Sequence, residues 1–139
     1  IHPNERQHVL DGLYGFAEAL GVHDRVLRWD LPLPPDALAY AHELVPDSRP
    51  TLVISPCSSH RLRNWRAEYY AEVADHAVRA HGMRVILAGG RSAIERRTAD
   101  ATVAGMRTPV VDQVGKDTLP QLLALLARQS IIVPIGPDA

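Results

Sequence analysis

Four short apolar runs, separated by amphipathic stretches, constrain this chain more than any other feature. Thr51–Ser55, Arg84–Ala88, Pro109–Asp112 and Ile131–Val133 are rich in β-branched and aliphatic residues and run into Pro, Gly or polar residues. Between them lie Ala67–His81, Ser92–Ala104 and a stripe of Leu119, Leu122, Leu123 and Leu126 at helical spacing. Strand, helix, strand, helix, strand, helix, strand predicts parallel strands joined by crossover helices. The strands lack polar alternation, so both faces of the sheet should be covered. The expected fold is α/β, a three-layer Rossmann-like parallel sheet. A chain of 139 residues, 46% of them hydrophobic, is long enough for one such core.

Ahead of this body, Leu31-Pro32-Leu33-Pro34-Pro35 reads as a rigid connector, because proline fixes φ and lacks an N–H. A helix capped by Asn4 is expected to run to about Leu20, with Val9, Leu10, Leu13, Phe16, Ala17 and Leu20 at helical spacing and Gly21 as its stop. Val26–Trp29 suggests a short strand, and Asp36–Leu44 a short helix closed by Pro46. In the body, Tyr69, Tyr70, Val73, Ala74, Ala77 and Val78 form one helical stripe, and Gly82 and Gly105 punctuate helix ends. Thr118 and Gln121 match a capping box.

Several function classes are disfavoured. A formal net charge of -1 provides no global field for nucleic acid or an anionic membrane. One cysteine, Cys57, makes no internal disulfide and suits a reducing compartment. Seven histidines form no H-x-x-x-H or H-E-x-x-H pattern, which argues against a metal site. No apolar run approaches the roughly 20 residues of a membrane span. The first residues lack a signal-peptide pattern, and a chain starting at Ile1 is expected to be part of something longer.

In open parallel sheets, ligands bind outside the carboxyl ends of the strands. The segments to read are therefore 55–65, 88–95, 112–118 and 134–139. The first holds Ser58, Ser59, His60, Arg61, Arg63 and Trp65 before a helix start, with Asn64 as candidate cap. Hydroxyls, guanidinium forks and helix amides suit phosphate oxygens; a solvated basic loop around a structural Trp65 is the plainer alternative. Gly89 and Gly90 admit close approach to the backbone, and Glu95 either binds ribose hydroxyls or complements the helix dipole. Gly115 and Lys116 precede the capping box, which explains Thr118 without a ligand. Cys57 has no identified base to make it a nucleophile. Neither a G-x-G-x-x-G fingerprint nor a Walker loop is present.

In this order and spacing, the patterns resemble glycosyltransferase family 9, the ADP-heptose:lipopolysaccharide heptosyltransferases. The residues that carry the resemblance are Ser58-Ser59, Arg63 and Trp65 after the first strand, then Gly89-Gly90 with Glu95. The turn Gly115-Lys116-Asp117-Thr118-Leu119 then leads into the leucine-rich helix. Three positions depart from the family: Arg63 stands where lysine is usual, Arg66 where proline is usual, and the D-[ST]-G-x-x-H loop after the last strand is replaced by Pro134–Ala139.

The resemblance implies the GT-B architecture of two Rossmann-like domains. Residues 1–48 would be an interdomain helical segment and connector, and 49–139 the C-terminal, nucleotide-sugar-binding domain, incomplete at its end. It implies an inverting transfer of heptose from ADP-heptose to the lipopolysaccharide inner core, with no metal or other cofactor. Arg63, Ser58 and Ser59 would hold the diphosphate, Glu95 the ribose, and Gly115 and Lys116 the adenine pocket. The general base would lie in the missing domain, so these 139 residues alone would be inactive. A bacterial, cytoplasmic enzyme is implied, with peripheral association at the inner membrane left open. A non-catalytic nucleotide-binding module and a GT-B enzyme using another nucleotide sugar, such as a UDP-sugar, are the alternatives.

Overall fold

The computed structural model describes residues 8–28, 30–58, 63–128 and 130–133, the last four by backbone alone. The chain forms two compact units, Ile1–Pro32 and Leu33–Ala139.

The first unit contains helix α1 (Val9–Ala19). Its N-cap is His8, whose Nδ1 accepts from the Leu10 N–H at 3.2 Å, and Asn4 lies outside the described residues. Leu20 caps the other end, and Gly21 follows with φ +84°. The Arg25 guanidinium donates to Glu18 at 2.8 and 2.9 Å and stacks over Tyr14. No side chain of α1 is fully buried: Val9, Leu13, Phe16 and Leu20 stand exposed on one stripe. The expected strand at Val26–Trp29 is corrected: residues 26–28 pair with no other strand, their side chains are exposed, and Trp29 is outside the described residues. An extended segment without a neighbouring strand has no ladder partner for its backbone groups.

The second unit is the α/β body. Its elements are α2 (Pro35–Leu44), β1 (Thr51–Ile54), α3 (Ala67–His81), β2 (Arg84–Leu87), α4 (Ala93–Gly105), β3 (Val111–Asp112), α5 (Leu119–Ala127) and β4 (Ser130–Val133). All pairings are parallel, in the order β3-β2-β1-β4. Leu52, Ile54, Val85 and Leu87 point to one face and are buried against Tyr70, Ala74 and Ala77 of α3 and Ala99 of α4. Val53, Ile86 and Ala88 point to the other, against Ala37 and Ala41 of α2 and Ala124 and Leu125 of α5. Alternate residues are thus buried on opposite faces, which is why the strands read as continuous apolar runs. Helix α2, grouped in sequence with the connector, packs within this unit because Ala37 and Ala41 lie flush on the sheet.

Helix α3 has the expected limits and stops at Gly82, which adopts φ +62°. Tyr69 of the predicted stripe is 39% exposed, whereas Asp75, outside the stripe, is buried. The Asp75 carboxylate accepts from the N–H groups of Arg107 and Thr108 and from the Thr108 hydroxyl at 2.8 Å, satisfying the chain just past α4. Gly105 is the last residue of α4 rather than its stop, and Met106 is the cap.

Candidate nucleotide site at the carboxyl edge

The strand order places a topological switch between β1 and β4: the chain steps from β1 outward to β2 and β3, then returns to the other side of β1. A crevice opens where crossover connections diverge to opposite faces. Its described wall is the segment after β1. There Pro56 is buried, and the Ser58 N–H donates to Asn64 Oδ1 at 2.7 Å. Asn64 Nδ2 lies 3.3 Å from Cys57 Sγ, which sits 3.5 Å from Thr98 Oγ1. Asn64 therefore braces the loop instead of capping α3. The N-cap is Arg66, which makes no side-chain capping bond. Trp65 is half-buried against Tyr69 and Tyr70, and its backbone N–H donates to the Tyr70 hydroxyl. Arg63 is exposed and makes no hydrogen bond or ion pair among the described residues. Ser58 is half-buried; Ser59 lies outside the described residues, as do His60, Arg61 and 134–139.

The neighbouring loops form a braced shelf. Glu95 Oε1 accepts from the Gly90 N–H at 2.7 Å, and Oε2 from the Ser92 hydroxyl at 2.6 Å. Ser92 Oγ in turn accepts from the Glu95 N–H, which completes a capping box on α4. These bonds, led by the Ser92 hydroxyl, hold the Glu95 carboxyl below its ordinary range. Arg96 pairs with Asp112 at 2.6 Å and donates to the Val114 carbonyl at 3.1 Å. Burial pushes the Asp112 carboxyl up, but the bonds from Arg96 and the Val114 N–H carry it below the usual carboxylate range. The Gly115 N–H donates to the Gly89 carbonyl at 3.0 Å, so the loops after β2 and β3 touch. Gly115 has φ +81°, a conformation that favours glycine. The Lys116 ammonium turns back onto the Asp112 carbonyl, and Asp117 accepts from the Tyr40 hydroxyl of α2. Thr118 and Gln121 form the expected capping box on α5.

The structure thus places Ser58 and Arg63 on the segment after β1, and Glu95, Gly115 and Lys116 on the braced loops after β2 and β3. Sequence reasoning missed the braces Asn64, Arg96, Asp112 and Tyr40, whose partners lie 6 to 77 residues away, as well as Arg91, an exposed cation beside Gly115. A separate notch of about 460 Å³, lined by Val45, Pro46, Arg49 and Arg128, opens at the amino ends of β1 and β4. Among the described residues no group of three or more His, Cys, Asp or Glu is placed to hold a metal. No described helix is long and apolar enough to cross a membrane.

Residues 1–138 match glycosyltransferase family 9 (heptosyltransferase). The chain belongs to this family. It is 34% identical over 132 residues to the lipopolysaccharide core heptosyltransferase OpsX of Haemophilus influenzae, covering 95% of this chain and 37% of that protein. The fold superposes on a glycosyl transferase family 9 structure from Veillonella parvula with a TM-score of 0.80 at 23% identity, over 92% of this chain and 38% of that one. It also superposes on E. coli ADP-heptose LPS heptosyltransferase II with a TM-score of 0.62 at 20% identity, over 78% of this chain and 35% of that one. This glycosyltransferase family 9 chain therefore spans less than two fifths of the length of the relatives it matches.

Proposed function

We propose that this chain is the donor-binding part of an inverting heptosyltransferase, residues 49–139 together with α2 belonging to the C-terminal domain and the segment ahead of α2 to the interdomain region. The observation that carries the reading is the start of α3. Of the three helices that leave the carboxyl edge, α4 and α5 are closed by capping boxes, whereas α3 has no side-chain cap and begins four residues after Arg63, which has no partner among the described residues. Unsatisfied amides and a guanidinium beside the switch point suit a diphosphate. Ser58 and Ser59 supply further hydroxyls. Gly115 and Lys116 line the base pocket, and Glu95 meets the ribose through the edge of its braced carboxylate.

In the full-length enzyme, a carboxylate outside this chain takes the proton of the acceptor sugar hydroxyl. That oxygen attacks the anomeric carbon of ADP-heptose, and ADP leaves. The donor-side cations stabilise charge growing on the diphosphate. The carboxylates described at this edge are already engaged: Glu95 with Gly90 and Ser92, Asp112 with Arg96, Asp117 with Tyr40. Each of these described carboxylates already serves a structural role, in keeping with a base placed outside this chain and with a 139-residue chain that alone transfers no sugar. The acceptor is the lipopolysaccharide inner core, met in the cytoplasm at the inner membrane face.

Titration calorimetry with ADP and UDP on the full-length protein tests the reading. ADP binds the more tightly, and Arg63→Ala weakens it by about 1.5–3 kcal/mol through loss of a charged hydrogen bond. Tighter UDP binding would point to another nucleotide sugar, and unchanged affinity in Arg63→Ala would remove that residue from the site. ADP release by the 139-residue chain at the full-length rate would overturn the placement of the base.

A further inference from the structure

The hydrogen bond from the Tyr40 hydroxyl to Asp117 joins α2 to the turn that leads into α5. Asp117 directly follows Gly115 and Lys116. The turn is held from one helical layer by Arg96, through Asp112 and the Val114 carbonyl, and from the next loop by the Gly115 to Gly89 bond. Tyr40 holds it from the opposite layer. Burial, then the bond to Asp117, raises the Tyr40 hydroxyl well above the ordinary tyrosine range, so it remains a donor. The second Asp117 oxygen, Oδ2, is shut off from solvent and has no hydrogen-bond partner among the described residues. Tyr40 is thus the donor that this carboxylate has there. Without it neither oxygen is satisfied, and the turn must swing outward for Asp117 to reach water.

We propose that Tyr40 is a positioning residue for the donor: acting through Asp117, it holds the Gly115-Lys116 turn against the nucleotide base and sets donor affinity rather than the rate of transfer. This rests on the nucleotide-sugar reading of the site. The Tyr40 ring stays in place in Tyr40→Phe, so the substitution removes the hydroxyl alone.

Steady-state kinetics and ADP calorimetry on the full-length enzyme test the inference. In Tyr40→Phe the donor KM and the ADP Kd rise about five- to tenfold, while kcat and the acceptor KM stay within about twofold of wild type. Asp117→Asn, whose carbonyl still accepts from Tyr40, keeps near-wild-type affinity, whereas Asp117→Ala behaves like Tyr40→Phe. If Tyr40→Phe does not fold, the Asn and Ala variants at 117 supply the same comparison. Wild-type ADP binding with an unchanged Kd in Tyr40→Phe overturns this inference alone, as does equal damage to kcat and both KM values. Failure of the wild-type protein to bind ADP overturns the nucleotide reading and this inference with it.

Discussion

Gly90 and Glu95 show how tightly the carboxyl edge is built. A Cβ on Gly90 would lie 2.8 Å from Glu95 Oε2, closer than carbon and oxygen tolerate. The carboxylate is the end of a flexible side chain, but three hydrogen bonds hold it to Gly90 and Ser92. Gly90→Ala must therefore displace Glu95 and break the capping box, at about 0.5–2 kcal/mol, the range for losing a helix cap. Glu95→Ala loses the same bonds. The double variant is then no less stable than the worse single variant, and urea unfolding of all four proteins measures this coupling. Fully additive losses would show that the two residues act separately. The sequence showed that Glu95 stands in the first turn of a helix, and the glycines suggested close approach. It did not show that the approaching group is Glu95 itself, since periodicity carries no information about which way a loop carboxylate turns.

At the scale of elements, Asp75 fastens α3 to the chain leaving α4. Its bond from the Thr108 hydroxyl, followed by the N–H groups of Arg107 and Thr108, holds its carboxyl below the ordinary range. A carboxyl lowered in the folded state stabilises the fold above its unfolded value. That contribution disappears as the pH falls through the folded value. Stability should accordingly hold from neutral pH to about 4 and fall below it. Asp75→Asn should be less stable at neutral pH and show a shallower acid decline, as measured by urea midpoints across the pH range. Parallel acid limbs in the two proteins would mean that Asp75 does not contribute in this way. Most elements were legible because each pairs a periodic pattern with a stop or cap: α3 ends at Gly82, and α5 begins at Thr118. Val26–Trp29 misled because strand propensity is satisfied only beside another strand. Asp75 was passed over because α3 was read for its apolar stripe, beside which Asp75 lies.

For the molecule as a whole, alternation of elements was enough to anticipate a parallel sheet with both faces covered. The strand order was not legible, because it depends on which neighbour β4 finds, and with it went the position of the switch beside β1. In the proposed reading, the switch beside β1 is the centre of the donor site, with the braced shelf alongside. A crystal structure of the full-length protein with ADP tests this most directly. The diphosphate should lie between the start of α3 and Arg63, with the nucleoside over Gly89, Gly90 and Gly115. ADP seated instead in the notch lined by Val45, Pro46, Arg49 and Arg128, at the amino ends of β1 and β4, would contradict it.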